Sequence, residues 1–287
     1  MLERWARPLA GLWNGTAGFM DAAFRALGRP GKLLQDFLNG SWLGHSLHPV
    51  IVDVVVGGST VAVLFQLLTW FGVADLEVAQ LWVVGLTSLA ALSAIVTGLT
   101  DFKDTATGDE RDVVGLHGLI NVVATLVLGG AFLALVAGAD AVGGWLVVIG
   151  FLVLSVGAFI GGHVVFKYGY MVNRNAFARG KTAREFTAVM PSAGLVEATP
   201  VKAMLGATAL VMVRRGDLVF ALKETCSHAG GPLSEGHLEG DTIVCPWHGS
   251  AFRLGDGAVR HGPAATRQVA YRARINGDQV EVQGPIS

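Results

Sequence analysis

Cysteine is scarce in this chain: Cys226 and Cys245 are the only two in 287 residues. Two cysteines close at most one bridge, so a disulfide framework is excluded as the basis of the fold. Charge is scarce as well. Asp, Glu, Lys and Arg make up 15% of the chain against 52% hydrophobic residues, and mean hydropathy is positive, which sets it apart from ordinary soluble domains. The net charge of −1 supplies no polycationic surface for nucleic acid. A P-loop, a glycine-rich dinucleotide fingerprint and a Ser-His-Asp set are also missing, so nothing marks nucleotide chemistry or acyl transfer. No long apolar run occurs before about residue 50, where a cleavable export signal would lie.

The missing charge is concentrated in four runs, 50–71, 78–99, 113–137 and 142–166, each longer than the roughly 20 residues that cross a bilayer as a helix. A membrane α-helical bundle of four transmembrane helices is expected. Lys and Arg set its orientation. Arg4, Arg7, Arg25, Arg29 and Lys32 precede the first run, Lys103 and Arg111 lie between the second and third, and Lys167, Arg174, Arg179, Lys181 and Arg184 follow the fourth. Loops 72–77 and 138–141 have none. Positive charge stays inside, which places both termini and the middle loop in the cytoplasm, the bacterial inner membrane being the expected location.

Both cysteines sit beside histidine, in Cys226-Ser227-His228 and Cys245-Pro246-Trp247-His248. Two Cys and two His can close a zinc tetrahedron, but zinc folds usually open with paired cysteines. Here thiolate and imidazole alternate within each loop, as a cluster with one sulfur-ligated and one nitrogen-ligated iron requires. The flanks Cys226-Ser227-His228-Ala229-Gly230-Gly231-Pro232-Leu233 and Cys245-Pro246-Trp247-His248-Gly249-Ser250-Ala251-Phe252 closely resemble the Rieske ferredoxin family. The resemblance implies a C-terminal all-β Rieske domain over 195–287 carrying a [2Fe-2S] cluster at its tip. By the same resemblance Cys226 and Cys245 bind the inner iron, His228 and His248 bind the outer one, and Gly262-Pro263-Ala264 is the loop that covers the cluster.

The departures also carry information. Rieske proteins of quinol-oxidising complexes have an inter-loop disulfide whose positions fall at Gly231 and Trp247. They also place a Ser and a Tyr hydroxyl near cluster sulfur, where this chain has Ser250 and Phe252. One donor kept and one lost implies a potential in the low-to-middle part of the Rieske range of about −150 to +300 mV. Locally, residues 209–213, 218–222, 242–244 and 279–282 read as strands, with turns at 215–217, 255–257 and 276–278.

Residues 1–44 mix aromatic and aliphatic side chains with Arg and Lys, and read as amphipathic helices on the inner membrane surface. A partner-binding surface is the other reading. Residues 167–194 read as a basic linker. The stretch Gly40-Ser41-Trp42-Leu43-Gly44-His45-Ser46-Leu47-His48-Pro49, with Gly98-Leu99-Thr100-Asp101-Phe102 and His117-Gly118-Leu119-Ile120-Asn121, resembles the domain-of-unknown-function family 2231, a four-helix membrane module, over about 40–166. The module itself is expected over 45–166.

Within that module His45, His48, Asp53, Asp101, His117, Asn121 and His163 all fall toward the cytoplasmic side. Ionisable groups in spans mark a site or an internal pair. Three readings stand open: a b-type haem held by His117 with His48 or His163; a quinone site using one His and one Asp; or structural polar contacts. Asp53, Asp101 and Asn121 are candidate supporting residues.

A Rieske oxygenase needs a further domain with mononuclear iron, and the chain stops at Ser287, so a complete oxygenase is not expected. The leading expectation is a membrane-anchored carrier passing single electrons between a cytoplasmic redox enzyme or reductase and a membrane haem or quinone. A quinone-linked oxidoreductase subunit and a redox-sensing or docking protein are the alternatives. Four spans make a small membrane body, with which a homodimer is compatible.

Overall fold

The computed structural model describes residues 2–177 and 183–286. The chain divides into two compact units, one running to Gly31 and resuming over Ser46–Tyr170, the other comprising Lys32–His45 and the residues from Met171 onward.

The first unit is helical. Short α1 (Leu2–Ala6) and α2 (Ala10–Ala26) precede α4 (Leu47–Trp70), α5 (Glu77–Phe102), α6 (Asp109–Val136) and α7 (Asp140–His163), while α3 (Gly28–Leu38) contains the division between the units. A π-helical turn, Val164–Tyr168, prolongs α7. All four long helices are long and apolar enough to cross a membrane. They pack as a ring in which α4 and α6 stand opposite, each between α5 and α7. Their outward faces expose large apolar side chains such as Trp82, Leu126, Leu133 and Phe159, the pattern of helices whose solvent is lipid. Small residues allow close packing, with Val55, Ala91, Ala94, Ala124 and Leu154 forming one interior layer. Ser46 caps α4, its hydroxyl accepting from the His48 N–H at 3.3 Å. Gly72 and Gly138, both at positive φ, end α4 and α6.

Helices α1 and α2 cover the end of this bundle. Ala6, Trp13 and Ala17 share a buried cluster with Phe102, Val113, Val114 and Ile160. Gly115 makes this possible, because a Cβ there would meet the Trp13 ring at 2.4 Å.

The second unit is all-β apart from the end of α3. Ten strands run β1 (Ala183–Pro191), β2 (Val201–Leu205), β3 (Thr208–Arg215), β4 (Leu218–Lys223), β5 (His237–Glu239), β6 (Thr242–Val244), β7 (Ala251–Arg253), β8 (Val259–His261), β9 (Ala270–Asn276) and β10 (Gln279–Gly284). Six form a sheet in the order β1-β10-β9-β4-β3-β2, and four form another in the order β5-β6-β7-β8, with antiparallel pairing throughout. The turns expected at 215–217, 255–257 and 276–278 connect β3 to β4, β7 to β8 and β9 to β10. One core cluster contains Val211, Leu222, Ile243 and Phe252 together with both cysteines.

Two expected boundaries move. Residues 1–44 are not one segment, since those from Lys32 group with the β unit. The linker expected over 167–194 is largely structured: its first residues finish α7, Arg174 and Asn175 bond to the first Cys-His loop, and β1 is an edge strand paired with β10. That strand lacks a regular apolar alternation because its register against β10 shifts twice, between Ala183 and Thr187 and between Ala188 and Met190. Arg179 and Lys181 lie outside the described residues.

Candidate metal centre

The two Cys-His loops repeat one backbone device. After β4, the Cys226 N–H donates to Gly231 O at 2.9 Å and the Gly230 N–H returns to Cys226 O at 3.0 Å. Between β6 and β7, the Cys245 N–H donates to Ser250 O at 2.8 Å and the Gly249 N–H returns to Cys245 O at 3.1 Å. Each loop turns at a glycine four residues after its cysteine, Gly230 at φ +90° and Gly249 at φ +75°, a region that L side chains rarely adopt. The same turn therefore presents a thiol at its base and an imidazole two or three residues further on.

The sulfurs meet. Cys226 hydrogen-bonds to Cys245, which pulls the Cys245 thiol down to about 7 and pushes that of Cys226 up. Backbone N–H groups of His228 and Ala229 point at the Cys226 sulfur, and those of Trp247 and His248 at the Cys245 sulfur. Four donors thus favour negative charge on sulfur. The imidazoles of His228 and His248 lie edge-to-face, 5.1 Å between centroids. Both cysteines and His228 are buried, whereas His248 is half-buried and Trp247 beside it is 56% exposed. Paired thiolates inside and paired imidazoles outside form a donor set suited to one sulfur-ligated and one nitrogen-ligated iron. The residues fit that group. A Cβ at Gly231 would lie 2.8 Å from the Cys245 sulfur, so this position fits glycine closely.

Several supports have no signature in local sequence. The Gln268 Oε1 accepts from the Ser227 N–H at 3.1 Å and from Asn175 Nδ2 at 3.0 Å, while the Ser227 hydroxyl donates to Thr266 O at 2.7 Å. Ser250 is fully buried and accepts from the Ala264 N–H at 3.0 Å, tying the third loop to the second. Phe252 is fully buried in the core. Asp36, on α3, accepts from the Gly262 N–H at 2.8 Å and pairs with His261 Nδ1 at 2.7 Å. It anchors the start of the third loop from a helix more than 200 positions earlier.

In the helical unit the polar residues separate into distinct groups. His48 Nδ1 lies 3.0 Å from Ala94 O and 3.3 Å from Thr97 Oγ1. His117 Nδ1 lies 2.9 Å from Gly157 O, with Asn121 bonded to His117 O at 2.7 Å. Asp101 is buried and accepts from the Ser46 hydroxyl at 2.7 Å, and its backbone carbonyl accepts from Tyr170 at 2.7 Å. His163 is elsewhere, 3.7 Å from Glu3 and edge-on to Tyr168. Asp53 is exposed on α4. His48 and His117 are thus each tied to a carbonyl of a different neighbouring helix, and His163 lies beside Glu3.

Comparison with known proteins agrees with both halves. The family model "Rieske [2Fe-2S] domain" matches residues 185–273, and "Predicted membrane protein (DUF2231)" matches residues 44–174. Ferredoxin CarAc of Metapseudomonas resinovorans is 36% identical over 80 residues, 28% of this chain and 75% of that protein. The chain belongs to the Rieske [2Fe-2S] family. This Rieske protein is also similar to the anthranilate 1,2-dioxygenase ferredoxin subunit of Burkholderia cepacia, 34% identical over 30% of this chain and 80% of the relative. Among solved structures, the complex of reduced oxygenase and oxidized ferredoxin in carbazole 1,9a-dioxygenase matches at 30% identity and TM-score 0.34, covering 36% of this chain and 97% of the other. The Rieske domain implies a [2Fe-2S] cluster. Here it is joined to a four-helix membrane domain.

Proposed function

We propose that Cys226 and Cys245 hold the inner iron of the cluster and His228 and His248 the outer one, and that the protein carries single electrons between a cytoplasmic reductase or redox enzyme and a haem or quinone in its membrane domain. The observation that carries this reading is the pair of matching loops with hydrogen-bonded sulfurs and edge-to-face imidazoles. When bound, such a cluster accepts and returns one electron at a potential raised by its neutral ligands.

The surrounding residues have separate tasks. The backbone donors at the sulfurs stabilise thiolate charge, the buried cysteines keep water from the inner iron, and half-buried His248 lies on the side open to a partner. Exposed Trp247 gives that side an aromatic contact of the kind enriched at interfaces. The named relatives are ferredoxins and ferredoxin subunits of dioxygenases, which supports a carrier role. Cytoplasmic placement rests on two supports: Lys and Arg avoid loops 72–77 and 138–141, and four spans return the chain to the side from which it entered.

Full-length protein purified in detergent and reduced with dithionite tests the reading by electron paramagnetic resonance. A mixed nitrogen/sulfur-ligated [2Fe-2S] signal, with iron and acid-labile sulfide in equal amounts, is expected. His228→Cys should lower the potential of any cluster that forms, because an anionic thiolate replaces a neutral ligand.

A further inference from the structure

His48 and His117 are held in the same way by the two helix hairpins. His48, on α4, bonds through Nδ1 to the carbonyl of Ala94 on α5, and a Cβ at Gly98, four residues later, would meet its ring at 2.9 Å. His117, on α6, bonds through Nδ1 to the carbonyl of Gly157 on α7, and a Cβ at Gly161, again four residues later, would meet its ring at 2.9 Å. Each imidazole therefore packs against a glycine of the neighbouring helix, with its Nδ1 tied to the carbonyl one turn earlier.

That arrangement fixes the tautomer. A carbonyl only accepts, so Nδ1 carries the proton in both rings and each Nε2 is left with its lone pair; the Asn121 Nδ2 that lies 3.2 Å from His117 Nδ1 makes its shorter bond to His117 O, at 2.7 Å. Neither Nε2 has a hydrogen-bond partner among the described residues. Both rings are half-buried. An unpartnered imidazole lone pair in an apolar bundle is costly, and two of them on opposite helices are doubly so. A neutral Nε2 whose Nδ1–H is fixed by a carbonyl has the usual form of a metal-ligating histidine. It offers no proton to an oxidised quinone carbonyl. Opposite helices also supply ligands from the two faces of one planar macrocycle, which adjacent helices do not.

We propose that His48 and His117 are the axial ligands of a b-type haem bound between α4 and α6, and that His163, placed beside Glu3 and Tyr168 instead, takes no part. The inference rests on the carrier reading above and names its membrane acceptor.

The test uses the full chain, expressed with haem supplied and purified in detergent, and reads a pyridine haemochrome spectrum beside the cluster's paramagnetic signal. Expected are one haem b per chain with a low-spin spectrum, a fall of at least about tenfold in haem content for His48→Ala and for His117→Ala, and full retention for His163→Ala, with the cluster signal unchanged in all three. His117→Gly with added imidazole, which should restore the low-spin spectrum, covers the case in which an alanine variant misfolds. Haem-free wild-type protein that also fails to bind added haemin would overturn the inference, as would undiminished haem in both alanine variants. Reoxidation of the reduced cluster by added quinone in haem-free protein would overturn the haem but leave the carrier reading intact; loss of the mixed-ligand cluster signal would do the reverse.

Discussion

Ser250 and Asp36 act on the same third loop from opposite sides. The Ser250 side chain accepts from Ala264 N–H, which leaves its own proton free to serve the sulfur side, where the family resemblance puts a donor. Such a donor favours the more negative reduced state, so Ser250→Ala is expected to lower the cluster potential by about 60 mV, the one-electron equivalent of about 1.4 kcal/mol. Protein-film voltammetry checks the value, and an unchanged potential would show that Ser250 only braces the loop. Asp36→Ala removes two acceptor contacts, to His261 and to Gly262 N–H, and is expected to shorten the cluster's lifetime under air by several-fold for a loss of about 1–2 kcal/mol in loop anchoring. Asp36→Asn keeps an acceptor for Gly262 and should recover much of it; the decay of visible absorbance is the measurement. Ser250 was legible beforehand because it sits inside a long motif. Asp36 was not, because nothing in an amphipathic N-terminal helix announces a partner so far along the chain.

Elements were legible where their period or their turn residues were unambiguous. The four apolar runs became α4 to α7 with ends shifted by a few residues, since the sequence runs were cut at charge whereas Asp109 to Asp112 continue α6 as its first turn. The sequence also marks strands β3, β4, β6 and β10, whereas β1 falls in the stretch that reads as a linker. Two predictions belong to this scale. Gly115→Ala places a Cβ against Trp13 and is expected to loosen α2 from α6 at a cost of about 1–3 kcal/mol, detectable as faster proteolysis of the first 26 residues with the cluster signal intact. In the β7–β8 turn, Arg253 pairs with Asp256, which also accepts from Ala258 N–H at 3.0 Å. Led by the Arg253 bond, these interactions hold the Asp256 carboxyl down at about 2, against an ordinary value of 3.8. The stabilisation is therefore complete above pH 3.8 and lost as pH falls through 2. An Asp256→Asn variant should show a flatter loss of thermal stability over that interval; parallel profiles would contradict this.

The whole molecule joins a redox domain to a bundle in which His48 and His117 are each tied to a carbonyl of the neighbouring helix. Composition alone separated the apolar part from the soluble-looking part, and the ligand motifs identified the cluster. The separation of His163 from His48 and His117 was not visible, because helix position fixes height along a span and leaves its facing open. For topology, cysteine tags at Asp75 and Asp140 should react from outside in intact cells, and tags at Asp109 and the C terminus only after permeabilisation; reaction of the C-terminal tag from outside would place the Rieske domain outside as well. The central claim is that the four Cys and His side chains hold one mixed-ligand cluster. Paramagnetic resonance of the reduced full-length protein, with iron, sulfide and zinc counted on the same sample, tests it most directly. A nitrogen/sulfur-ligated [2Fe-2S] signal with matched iron and sulfide is the expected result; bound zinc with neither iron nor sulfide, after anaerobic purification, would contradict it.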